Sequence, residues 1–186
     1  MLKDIVKFIR DSTPYYFMEP VKDIKHSCFK NCELRVLDFD KVKDTFTKDI
    51  GIQEECKLCS VDGIFFDQRN NSLCIFDMKR FNSFYELTAE TYLLNELRDM
   101  SKKIVDSLYL LCALLGYYGI EKNNYYTILH PTQLRIKPYL VVNVKSSQDI
   151  IMLRMALQNE LKISLSRRIE KNINLISCDE FESAFS

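Results

Sequence analysis

Residues 60 to 81 read SVDGIFFDQRNNSLCIFDMKRF, and this stretch decides how the chain is understood. Two runs rich in β-branched and aromatic residues flank a polar tract, the pattern of a β-hairpin that turns near Gln68 to Asn70. Asp62, Asp77 and Lys79 nevertheless sit inside the runs, where burial makes charge costly. Their presence there needs a physical reason.

Side chains alternate along a strand, so Asp77 and Lys79 share one face with Leu73 and Ile75, and Cys74, Phe76 and Met78 share the other. Both faces are apolar around the charges, which predicts a strand covered by helices on both sides. For a turn near residues 68 to 70, opposed residues have numbers summing to about 138 or 139, so Asp62 falls opposite Phe76 or Asp77. Two carboxylates at that separation repel, and each has its pKa raised unless a cation stands between them. Two cations are open at this point. One is Lys79, giving a structural ion-pair cluster. The other is a hard divalent metal such as Mg²⁺, which one or two carboxylates hold while it keeps waters and takes phosphate oxygens. Next to such a metal, an ammonium orients the attacking water and neutralises charge developing on phosphorus-bound oxygens.

Downstream of the hairpin the period changes. From Ser83, with Glu86 three residues on in a capping-box arrangement, a long helix is expected to run to Gly116, with a break near Asp99 to Ser101. Leu93, Leu97, Met100, Ile104, Leu108 and Leu111 form its apolar stripe. The runs NYYTILH (124–130) and PYLVVNVK (138–145) are expected strands, the segment 146–172 one or two helices, and SCDEFESAF (177–185) a short terminal helix. Upstream, residues 2–11 have the spacing of an amphipathic helix, which TPYYFMEPV then breaks with two prolines. Residues 33–39 suit a short strand, and Val42, Phe46 and Ile50 mark a helix ended by Gly51. The expected fold class is α/β, a mixed central sheet flanked by helices. Its 186 residues suit one domain, with a core at about 40–145 and C-terminal helices over 147–186.

Composition narrows the function. The 26 basic and 26 acidic residues cancel, so no broad positive field advertises a free-standing nucleic-acid binder, although a local basic cleft remains compatible. The N-terminus lacks the uninterrupted apolar core of a signal peptide, and SLYLLCALLGYYGI is shorter than the roughly 20 residues that span a bilayer. A soluble, cytoplasmic protein with no membrane association is expected. Seven cysteines, an odd count without an export signal, favour reduced thiols. Cys28, Cys32, Cys56 and Cys59 have spacings that would suit zinc, with His26 as a substitute ligand. Small buried hydrophobes are the alternative reading of the same cysteines.

An Asp early in one strand, a hydrophobic strand ending in acid-x-Lys, and then a long helix resemble the PD-(D/E)XK nuclease superfamily, which has a restriction-endonuclease-like core. Asp62 matches the first acid, preceded here by Val61 instead of the usual Pro, and Asp77-Met78-Lys79 matches the triplet, with Asp for the commoner Glu. The resemblance covers residues 40 to 145. It implies hydrolysis of DNA or RNA phosphodiester bonds that depends on Mg²⁺ or Mn²⁺, with Asp62, Asp77 and the Met78 carbonyl as metal ligands and Lys79 as a catalytic residue. Asp44, Glu54 and Glu55 are candidates for a further acid, while Lys103 (or its neighbour Lys102) and Arg80 are candidates for phosphate contacts.

Viral cap-snatching RNA endonucleases share this plan, and some carry an upstream His ligand, a place that His26 would fill. His130 reads as a loop residue, and the tyrosine pairs 15/16, 117/118 and 125/126 fall at element ends where one of each is expected at the surface. A protein partner that grips the substrate would account for the missing basic field. Two non-enzymatic readings stand beside the nuclease: an interaction module that keeps the sheet and binds a protein, and a zinc-stabilised binding domain.

Overall fold

The hairpin places everything else. A computed structural model describes residues 7, 10–11, 13–25, 27–53, 58–80, 90–118, 135–159, 161–162 and 172–185. β3 (Gly63–Asp67) and β4 (Ser72–Lys79) pair antiparallel with Gly63 opposite Phe76 and Asp67 opposite Ser72. The turn is built by its polar residues. Asp67 Oδ1 accepts the backbone N–H groups of Arg69 and Asn70 at 3.0 and 3.3 Å, and Asn71 takes a left-handed φ of 47°, which Asn tolerates better than most residues.

Around this hairpin lies a six-stranded mixed sheet in sequential order. β1 (Met18–Pro20), β2 (Arg35–Asp38), β3 and β4 run antiparallel to their neighbours, whereas β5 (Arg135–Val142) and β6 (Asn174–Ser177) add parallel to β4. Parallel neighbours need crossover connections, and the helices α2 (Glu90–Tyr117) and α3 (Ser147–Ala156) lie within them. α1 (Phe39–Asp49) follows β2 directly, started by Asp38, whose carboxylate accepts the Lys41 N–H at 3.0 Å, and stopped at Gly51 with φ 74°. α4 (Cys178–Phe185) closes the chain. The α/β class with a mixed sheet flanked by helices is thus as expected.

Because β4 is paired on both edges, its alternating side chains feed two separate cores. Leu73 and Ile75 pack with Val42 and Phe46 of α1, Met100 and Ile104 of α2, and Ile150 of α3. Cys74, Phe76 and Met78 pack on the opposite side with Val21, Phe29 and Phe181. Gly63 is demanded by this second core. A Cβ there would overlap Phe76 Cζ and lie 2.7 Å from Cε1, and the Phe76 ring is itself held 5.5 Å from Phe181 and 6.1 Å from Phe65.

Several expectations are corrected. α2 runs unbroken through Asp99 to Ser101, because Leu97, Met100 and Ile104 stay buried on one stripe. Ile50 is exposed at the cap of α1 instead of completing its stripe. β1 and β6 are strands that local pattern did not announce, being three and four residues long, and β5 begins at Arg135, before Pro138. Within 146–172, α3 accounts for the helix at the start, and residues 160 and 163–171 lie outside the described set. Also outside it are Ser83 and Glu86, the strand expected over 124–130 with His130, and most of the helix expected over 2–11. Tyr15 and Tyr118 are turned inward beside the exposed Tyr16 and Tyr117.

The cysteines also depart from expectation. Cys28 and Cys178 form a disulfide with Cα atoms 6.3 Å apart, where the odd count had suggested reduced thiols. The fold brings together residues separated by 150 positions, a pairing that no local spacing reveals. Of the four cysteines with zinc-like spacing, Cys28 is taken by this bond, Cys32 is buried in the second core, Cys59 is half-buried, and Cys56 lies outside the described residues. Among the described residues no group of three or more His, Cys, Asp or Glu side chains converges.

Two tests follow from the packing. Gly63→Ala is expected to lower stability by about 1–3 kcal/mol, the usual cost of overpacking, seen as a fall in Tm. Reducing the Cys28–Cys178 bond, or replacing both residues by Ser, should cost about 2–4 kcal/mol, because the cross-link restrains the unfolded chain. Equal Tm values with and without reductant would show that the bridge does not form in solution.

Candidate active site

The two carboxylates meet as the hairpin register requires. The pairing of Gly63 with Phe76 puts Asp62, the residue before β3, level with Asp77 on the neighbouring strand, on the face that carries Ile64 and Ile75. Both are buried: Asp62 is 8% exposed and Asp77 1%. Asp62 Oδ2 accepts the Met78 N–H at 2.5 Å, taking the place of a ladder bond where β3 has not yet begun. Met78 therefore turns its polar backbone edge toward Asp62, the edge from which its carbonyl also projects.

Two ammonium groups close on Asp77. Lys103 Nζ is 2.7 Å from Oδ1, and Lys79 Nζ is 3.2 Å from Oδ2. The Lys79 contact is a charge contact without hydrogen-bond alignment, so Oδ2 is a buried oxygen that accepts no hydrogen bond. Such an atom is uncommon in a folded protein.

α2 organises the whole site from one side. Lys103 reaches Asp77; one turn on, Asp106 accepts the Cys59 N–H at 3.0 Å and Ser107 Oγ accepts the Val61 N–H at 3.0 Å. Residues 103, 106 and 107 share a helix face by their spacing, and together they fasten the segment that delivers Asp62. Lys102 points to solvent, so of the two neighbouring lysines only Lys103 serves the site.

Burial, with the negative charge of Asp77 next in size, pushes the Asp62 carboxyl up to about 7. The Met78 N–H and the Lys103 charge oppose this, and Asp40 adds to it. Asp40, in the first turn of α1, is an acid that the sequence reading passed over; its Oδ1 accepts the Ser60 hydroxyl and lies 3.3 Å from Lys43 Nζ. Among the earlier candidates for a further acid, Asp44 is exposed and 3.5 Å from Lys43, while Glu54 and Glu55 lie outside the described residues, as does His26. The signal that would have found Asp40 is its place in the first turn of α1, two residues past the Asp38 cap that ends β2, the strand adjacent to β3.

Arg80 is not brought to the carboxylates. It follows Lys79 on β4 and so projects to the opposite face, where its guanidinium donates to the Ser27 carbonyl. Comparison with family models, with curated proteins and with solved structures gives no match.

The Asp62 shift predicts a pH dependence of stability with a definite sign. Its folded pKa, about 7, lies above the ordinary carboxylate value, so between about pH 4 and 7 the folded protein keeps a proton that the unfolded chain releases. This contribution is full below that window and is lost as pH rises through it. Burial pushes Asp38 up as well, so the group is isolated by difference: in metal-free buffer, denaturant titrations should show wild type losing more stability than Asp62→Asn between pH 5 and pH 8. Parallel profiles would mean that Asp62 is not desolvated.

Proposed function

We propose that the chain is a nuclease that hydrolyses phosphodiester bonds of DNA or RNA with the help of Mg²⁺ or Mn²⁺. One observation carries the reading: two buried carboxylates stand side by side at the ends of adjacent strands, one of them with an unsatisfied oxygen, and two ammonium groups flank them. The donor set suits a hard cation, since all its ligands are oxygens: Asp62, Asp77 and the Met78 carbonyl. When held there, a divalent ion supplies Lewis-acid activation of water and neutralises phosphate oxygens.

The remaining work belongs to the side chains. Asp62 must lose its proton to act as a ligand, and it is poised to do so near neutral pH. Lys79, half-buried beside the orphan oxygen, holds the attacking water and counters charge that builds on the phosphate as the new P–O bond forms. Lys103 fixes Asp77 through Oδ1 and leaves Oδ2 turned to the site. One water is consumed, the P–O bond to the leaving nucleotide breaks, and that oxygen takes a proton. With zero net charge overall, a protein partner that grips the nucleic acid fits this scheme. No helix among the described residues is long and apolar enough to cross a membrane.

A second reading has its own support. Ammonium groups contact both oxygens of Asp77, which is how a purely structural ion-pair cluster would neutralise it, and a noncatalytic interaction module would need nothing more.

Mn²⁺ binding measured by calorimetry separates the two, together with cleavage of single-stranded RNA and DNA. The nuclease reading expects one tightly bound Mn²⁺ per chain, lost in Asp77→Asn, and cleavage reduced by a factor of about 10² or more in Asp77→Asn and Lys79→Ala, with the fold checked by Tm. Cleavage unchanged in both variants overturns it, and neither Mn²⁺ binding nor cleavage in wild type leaves the interaction module.

A further inference from the structure

On the other face of the sheet, past the carboxyl ends of β4, β5 and β6, lies a cavity of about 660 Å³. We propose that it is a nucleotide-binding site. The inference does not rest on the reading of Asp62 and Asp77, which face the other way.

The place is one that parallel strands create. Where the parallel strands β4, β5 and β6 end, the chain turns away, and residues just past each strand line the cavity. Arg80 comes from the end of β4 and Lys145 from just beyond β5. Lys30 lies on the segment before β2, and Asp179 and Glu182 on α4. The volume falls within the range of about 300–1,000 Å³ typical of small-molecule sites.

The lining offers groups of both charges to a ligand. Arg80 is oriented by its bond to the Ser27 carbonyl, so its other N–H groups remain a fork for an anion, and among the described residues neither Lys30 nor Lys145 forms an ion pair with a carboxylate. Three cations in one lining suit a phosphate. Asp179 and Glu182 stand three residues apart on α4, hence on one helix face, and ionised carboxylates only accept hydrogen bonds. They suit the ring N–H and amino groups of a base. The Cys28–Cys178 disulfide joins the loop wall to the α4 wall and holds their separation fixed, so the site is preorganised.

A nucleotide reaches such a site free or as the phosphorylated end of a strand, and calorimetry on the full oxidised chain in chelator-treated buffer distinguishes the two. The probes are the four ribonucleoside 5′-monophosphates, a 5′-phosphorylated oligouridylate and inorganic phosphate. At least one nucleotide probe is expected to bind, with affinity reduced about tenfold or more by Arg80→Ala and by Lys145→Glu. Lys102→Ala, on the exposed side of α2 and with the same loss of charge as Arg80→Ala, should leave binding unchanged. Binding of a monophosphate assigns the site to free nucleotides, and binding of the oligouridylate alone assigns it to strand ends. The proposal is overturned if no nucleotide probe binds, if inorganic phosphate binds as tightly as every nucleotide, or if Lys102→Ala weakens binding as much as Arg80→Ala does. Arg80 and Lys145 are exposed, so their replacement leaves the packed core intact.

Discussion

The burial of the Asp77 carboxylate in the central strand is the constraint to which the rest of the structure answers. An ionised carboxylate removed from water without partners costs several kcal/mol, enough to consume much of the stability of a domain this size. Lys79 supplies one partner from the same strand, two residues on, which is the nearest position on the same face. Lys103 supplies the other from α2, and it reaches Asp77 only if that helix lies across β4 at one height and one rotation. The same helix face then carries Asp106 and Ser107 to the segment 59–61, so the position of Asp62 is tied to the position of Asp77 through α2 as well as through the β3–β4 ladder. Two independent supports for one carboxylate pair make a rigid arrangement, the property that a site for a small hard cation requires.

β4 divides the molecule into two chemical halves. On the α1–α2 side its alternation presents Ile75, Asp77 and Lys79, and on the other side Phe76, Met78 and Arg80. The aromatic half, with Phe65, Phe76, Tyr139, Phe181 and Phe185 in mutual edge or tilted contact, is packed tightly enough to exclude a methyl group at Gly63. That density keeps the hairpin from slipping: a shift of β3 by one residue would turn Asp62 toward the rings and away from Asp77. Lys79 and Arg80, adjacent in the chain, thus leave the strand end in opposite directions, one beside the carboxylates and the other lining the cavity by the disulfide.

Much of this was legible before any coordinates. Alternation in SLCIFDMK gave the sharing of faces and the polar tract gave the turn, which together left Asp62 opposite Phe76 or Asp77, and the pairing of Gly63 with Phe76 decides for Asp77. The helix ended by Gly51 and the long stripe of α2 were read from period alone. What escaped was of another kind. β1 and β6 are too short to show a period and exist because a neighbouring strand offers an edge. Lys103 could not be chosen over Lys102 with assurance, since the rotation of a helix about its axis is decided by packing. Asp40 drew no notice as an exposed-looking acid in a helix start, and its relevance comes from the approach of β2 to β3.

The sequence by itself determined the α/β class, the hairpin with its register to within one residue, and the neighbourhood of two acids and a lysine, all of which follow from periodicities of two and 3.6 acting over short spans. Tertiary structure alone decided that Lys103 completes the charge cluster, that Arg80 faces elsewhere, and that Cys28 meets Cys178. Those contacts join residues 26, 53 and 150 positions apart, and no local rule of chain geometry reaches across such separations. Only the folded sheet, with its helices laid across it, brings them together.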